Sequence, residues 1–145
     1  MNIEKIAWLN LRIVMALIFL WAFFDKLFGL GFATQPQNSW INGGSPTYGF
    51  LTHATKGPFV EIFQSLAGNL IVDWMFMLGL LFVGTTLLVN RYVVLGSIAG
   101  VVMMMLMWLA VLPPENNPLL DEHIVYALVL MLLALEHRKK ASFIK

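Results

Sequence analysis

Side chains that could do chemistry are few in this 145-residue chain, and they stand at the ends of long apolar runs. The segment "PPENNPLLDEH", residues 113–123, brings Asp121, Glu122 and His123 to the threshold of the apolar stretch from Ile124 to Leu135. Asp25 and Lys26 follow an earlier apolar run that also carries Trp21, and Asp73 opens another. A histidine beside carboxylates is suited to giving and taking protons near neutral pH. A single lysine amid Asp25, Asp73, Asp121 and Glu122 would form an ion-pair network, and such networks shift proton affinities. We therefore take His123, Asp121 and Asp25 as candidate catalytic groups, and Lys26, Asp73, Trp21 and Trp108 as candidate substrate contacts, with Lys26 attracting an anion. Plainer roles compete. Asp73, Asp121 and Glu122 fall where carboxylates favour a helix dipole, and tryptophans at a membrane boundary form ordinary aromatic belts.

Other chemistries are excluded or disfavoured. Cysteine is absent, which removes disulfides, thiol relays and thiolate-bound metal or cluster sites. No metal site and no resident cofactor are expected. His53 falls in a loop and His137 at the opposite boundary from His123, so bis-histidine haem ligation is a poor fit. Four methionines between positions 103 and 107 point around a helix and suit lipid and core contacts. The net charge of +1 carries no signal for nucleic acid, and no such partner is expected.

The elements that must position these groups are membrane helices. The chain is 59% hydrophobic and 12% charged, more apolar surface than a soluble domain of this length can bury. The apolar runs predict an all-α integral membrane four-helix bundle, one domain over residues 1–145. Its spans cover about residues 6–32, 70–89, 92–112 and 119–136. Pro113-Pro114 stops the third span, and Asn90-Arg91 turns tightly between the second and third. Lys5, Arg91, Arg138, Lys139, Lys140 and Lys145 gather on one side, against Lys26 and Lys56 on the other. That bias predicts a multi-pass cell-membrane protein with both termini cytoplasmic. Asp25, Lys26, Asp73, Asp121, Glu122 and His123 then share the outer boundary, where charges mark function by default. Arg12 belongs to the cytoplasmic half, snorkelling to headgroups or pairing inside the bundle.

The outer loop, about residues 33–69, is long for a bare connection. Its first half is rich in turn formers, including Gly43-Gly44 and Ser45-Pro46. Its second half places Phe59, Ile62, Phe63 and Leu66 on one helical face between Pro58 and Gly68. This predicts a short amphipathic helix, either an interfacial anchor or a lid. Gly96 with Gly100, and Gly79 with Gly84, suit close helix packing within the bundle or a seam between copies in a homo-oligomer.

Five segments, "FLWAFFDKLFGLGFAT", "WINGGSPTYGFL", "GPFVEIFQSLAG", "VDWMFMLGLLFVG" and "MWLAVLPPENNPLLDEHIVYALVLMLLAL", resemble the DoxX/DoxD family of small four-helix membrane proteins, from about residue 10 to 136. The resemblance implies the fold and the membrane location. DoxD members are associated with thiosulfate:quinone oxidoreductase, so it also implies electron transfer from thiosulfate to membrane quinone. Expected partners are the lipid bilayer, quinone and a partner protein subunit on the outer side. The competing expectation is a non-enzymatic structural or assembly subunit that docks a redox partner. A solute or proton path is disfavoured, because the second and third spans carry almost nothing ionisable beyond their ends.

Overall fold

The computed structural model describes residues 2–115 and 117–142, with side chains through Lys139. Asn116 of the polar turn, and the Lys140 side chain and Lys145 of the cationic end, lie outside the described residues. The fold is all-helical, with no strand among the described residues. Helix α1 covers Ile3–Phe28, α2 Val60–Ser65, α3 Leu70–Val89, α4 Val93–Ala110 and α5 Glu122–Ser142. The segment between α1 and α2 is built from short turns at Pro36–Asn38, Trp40–Asn42, Phe50–Ala54 and Gly57–Phe59. Helices α1, α3 and α4 are long and apolar enough to cross a membrane. The apolar run of α5 is shorter and charged residues flank it on both sides.

Each boundary has a local cause. The α1 helix was expected to reach residue 32 and ends at Phe28, because Gly29 turns left-handed at φ 68°. A side chain there would collide with the backbone of Gln35 and Pro36, so glycine is required. The α3 helix matches its expected span, with Asn69 capping the Ile71 and Val72 amides. The α4 helix stops at Ala110, just before Pro113-Pro114. The fourth helix begins at Glu122 rather than 119. Leu119 and Leu120 lie in a turn where both their amides donate to the Asn117 side chain, at 2.9 Å each.

The helices pack in the order α1–α3–α4–α5, and α1 and α5 touch only lightly. Met15, Phe19, Met77, Val83, Leu87 and Leu130 form the centre of the core. Val14, Leu17, Leu78, Phe82, Ile98, Leu128 and other large apolar side chains face outward, as lipid contact requires. Small residues bring the backbones together. A Cβ on Gly96 would lie 1.9 Å from Thr86 Oγ1, Gly84 sits against Leu20, and Gly100 sits against Leu130 and Val83. Internal packing thus accounts for these glycines. Arg12 reaches across from α1 to the carbonyls of Leu87 and Leu88 in the last turn of α3. It therefore satisfies helix-end acceptors that α3 itself leaves open, and it pairs inside the protein.

Candidate functional site

The C-termini of α1 and α4 and the N-termini of α3 and α5 meet at one end, beside the long loop. A cavity of about 1030 Å³ opens there, at the upper limit of small-molecule sites. Ile18, Phe19, Ala22 and Lys26 of α1 line one wall at helical spacing. Phe76 and Leu80 of α3 and Met104 and Met107 of α4 form the apolar floor. Glu122, His123 and Tyr126 contribute the α5 wall, and the loop closes over the top with Thr34, Gln35, Asn38, Tyr48 and His53. The light contact between α1 and α5 is what leaves room for it.

His123 is the best-held functional group in this wall. Its Nδ1 lies 2.7 Å from Asp121 Oδ2, and both side chains are about nine-tenths buried, at 12% and 9% exposed. The other Asp121 oxygen, Oδ1, accepts the backbone amides of His123 at 3.0 Å and Ile124 at 3.4 Å. Asp121 therefore caps α5 and orients the imidazole with the same carboxylate. With Nδ1 engaged, Nε2 is the ring nitrogen left for the cavity. Both readings weighed for Asp121, helix cap and histidine partner, hold together.

The expected network around Lys26 does not assemble. Among the described residues no carboxylate lies within ion-pairing distance of its ammonium. Lys26 Nζ instead stands 5.8 Å from the centroid of the Phe76 ring, within cation–π reach. The carboxylates are engaged elsewhere. Asp25 is 1% exposed and accepts the backbone amides of Phe32 at 3.2 Å and Ala33 at 2.9 Å. Asp73 is 3% exposed, and its Oδ1 accepts Ser45 Oγ at 2.9 Å, Thr47 N at 3.2 Å and Thr47 Oγ1 at 2.5 Å. Asp25 thus folds the chain back after α1, and Asp73 ties the loop to α3. Hydrogen bonds to ionised carboxylates are the strong kind, and they satisfy charges that burial would otherwise penalise.

The loop is fastened at a third point. The Lys56 amide donates to the Ala110 carbonyl at 3.0 Å, and its ammonium lies 3.7 Å from Glu115. Gly57 adopts φ 72°, and a Cβ there would sit 1.9 Å from the Leu112 carbonyl oxygen. Only glycine lets the loop lie this close to the α4–α5 connection.

The tryptophans lie outside the cavity. Trp21 is half exposed and packs edge-on against Phe32 at 5.0 Å. Trp108 Nε1 donates to the Leu119 carbonyl at 2.8 Å, and Trp74 packs edge-on against Trp40 at 4.6 Å. Of the seven candidate residues, Lys26 and His123 line the cavity with Asp121 directly behind, Asp25 and Asp73 hold the loop, and Trp21 and Trp108 brace the surface. Tyr126 and His53 also line the cavity; Tyr126 was not singled out from the sequence, and His53 was weighed only as a haem ligand. Tyr126 had a legible signal, standing three and four residues after His123 and Glu122 on one helical face. His53 had none. A wide turn at Phe50–Ala54 positions it, with Nδ1 2.7 Å from Thr52 Oγ1 and 3.2 Å from the Gly49 carbonyl. No protein-family model, curated protein or solved structure matches this chain.

Proposed function

We propose that the protein is a quinone-linked redox subunit of the cell membrane, resembling DoxD, that takes electrons from a small sulfur anion such as thiosulfate. In this reading α5 is the fourth span, both termini are cytoplasmic, and the loop end faces outward. The lysine and arginine bias supports that orientation. The observation that carries the functional reading is the Asp121-oriented His123 in the wall of a cavity that also holds Lys26 and Tyr126.

The chemistry balances with these groups alone for binding and proton handling. Two thiosulfate ions each lose one electron and join through a new S–S bond, giving tetrathionate. The quinone takes the two electrons and two protons, giving the hydroquinone. With Nδ1–H on Asp121, His123 would donate from Nε2 as the imidazolium, once for each of the two protons the quinone takes, and would be reprotonated from water through the mouth of the cavity, where Glu122 is exposed. Lys26 would stabilise negative charge developing on the ring or hold the sulfur anion. Asp25 and Asp73, part of the acidic surround that opposes anion binding, are turned to loop donors and form no ion pair with Lys26, which leaves the ammonium for the anion.

A structural role, docking a redox partner at the loop end, also has an observation in its favour. The loop is pinned at Asp25, Asp73 and Gly57, which makes its outer surface a fixed platform. Thiosulfate-dependent reduction of a quinone analogue by the protein in lipid nanodiscs decides between the two. Turnover that drops about 10²-fold in His123→Ala supports the redox reading. Absence of turnover in wild type, with a stoichiometric partner still captured by variants lacking the cavity charges, moves the assignment to the docking role.

A further inference from the structure

A second chamber of about 430 Å³ lies beside the polar cavity, and its lining side chains are apolar apart from Lys26 and Thr47. We infer that it holds the prenyl tail of a quinone whose ring occupies the polar cavity. This rests on the quinone reading above and adds where the ligand's hydrocarbon chain goes.

The chamber follows from how α3 and α4 pair. Going toward the loop end, Gly96 meets Thr86, Gly100 meets Val83, and Gly79 meets Met103. Beyond Gly79 neither helix has another glycine. Larger side chains take over the interface and a gap opens, with the Gly79–Met103 contact as its floor. Val72 and Met75 of α3 line one side, and Val102 and Leu106 of α4 the other. Phe63 and Leu66, from the amphipathic segment at α2, form the roof. The amphipathic helix therefore covers a chamber, and it still turns Ile62 outward, 62% exposed.

The two spaces share one layer of wall, formed by Lys26, Pro46, Phe50, Phe76 and Met107. A ligand occupying both spaces would pass where these side chains part, with a hydrogen-bonding head on the His123 side and a bare hydrocarbon chain on the α3–α4 side. Met75, Val102 and Leu106 are each at least half exposed, at 70%, 53% and 51%, so the chamber opens sideways where lipid would lie. A chamber of about 430 Å³ has room for one hydrocarbon chain of modest length, which favours a prenylated quinone over a two-chain phospholipid.

The test uses the full chain in nanodiscs with two benzoquinones, one without a tail and one with a ten-carbon tail carrying a terminal diazirine. Photolabelling followed by mass spectrometry should place the label on Val72, Met75, Val102 or Leu106. Leu106→Trp and, separately, Val102→Trp should weaken binding of the tailed quinone at least tenfold and leave the tailless one within twofold. Labelling confined to other helices, or tryptophan variants that bind the tailed quinone normally, overturns the tail site while leaving the quinone reading standing. Equal labelling by a diazirine fatty acid that quinone does not displace also overturns it, in favour of an ordinary lipid chain. If wild type binds neither quinone, the functional reading itself falls, and the tail site with it.

Discussion

Asp121 holds His123 by two routes at once: Oδ2 lies 2.7 Å from the ring Nδ1, and Oδ1 accepts the His123 backbone amide at 3.0 Å. The side chain and backbone of one residue are thereby fixed by a single carboxylate two positions earlier. Asparagine caps helices about as well as aspartate. Asp121→Asn should therefore keep the thermal midpoint close to wild type while degrading turnover through a misoriented ring. Asp121→Ala should lose turnover and also about 1 kcal/mol of stability. Melting curves and quinone-reduction rates on the same preparations separate the two roles.

Asp73 anchors the loop through three donors on one oxygen. Asp73→Ala strands Ser45 Oγ, Thr47 N and Thr47 Oγ1 at a buried site. The expected loss is about 2–5 kcal/mol, with faster proteolysis near residues 35–45. Ser45→Ala, which removes one donor and leaves the acceptor satisfied, should cost less than about 1.5 kcal/mol. Equal losses in the two variants would show that the carboxylate does not organise the loop.

Arg12 serves the opposite end, donating to the Leu87 and Leu88 carbonyls. Arg12→Ala exposes those acceptors to an apolar surround and should destabilise the protein by about 1–3 kcal/mol. Arg12→Lys should recover part of that loss, because the ammonium still donates but cannot span two carbonyls as a planar fork. Thermal unfolding in detergent reads both.

Gly96 and Thr86 are in direct conflict once either grows. Gly96→Ala should destabilise by about 1–3 kcal/mol through overpacking. Adding Thr86→Ala should return much of that, giving a coupling of about 0.5–3 kcal/mol in a double-mutant cycle. Additive single effects would place the tight α3–α4 contact elsewhere.

The absence of cysteine makes topology directly measurable. Single cysteines at Asn42, Arg91 and Arg138 can be probed in intact cells with a membrane-impermeant maleimide. Labelling of Asn42→Cys alone, with Arg91→Cys and Arg138→Cys reacting only after lysis, is the expected result for four spans. Labelling of Arg138→Cys in intact cells would mean that α5 does not cross.

Helix placement was legible in the chain itself, because it depends on local quantities. Runs of apolar residues and the Pro113-Pro114 stop act within a few residues, and α3 came out at its expected bounds, whereas Gly29 ended α1 short of the expected residue 32. The polar cluster at the loop end was likewise visible as charges at the ends of apolar runs. What each charge does was not visible. Asp25 and Asp73 read as site carboxylates until the loop supplied Phe32, Ala33, Ser45 and Thr47 as donors. Arg12 found its acceptors 75 residues away. Lys26 formed no ion pair with the carboxylates expected around it and lay against Phe76 instead, and His53 reached the cavity only through the path of the loop. Helix formation is decided by near neighbours, whereas a buried charge is decided by whichever distant donor the packing brings within about 3 Å. Only the tertiary structure carries that second kind of information.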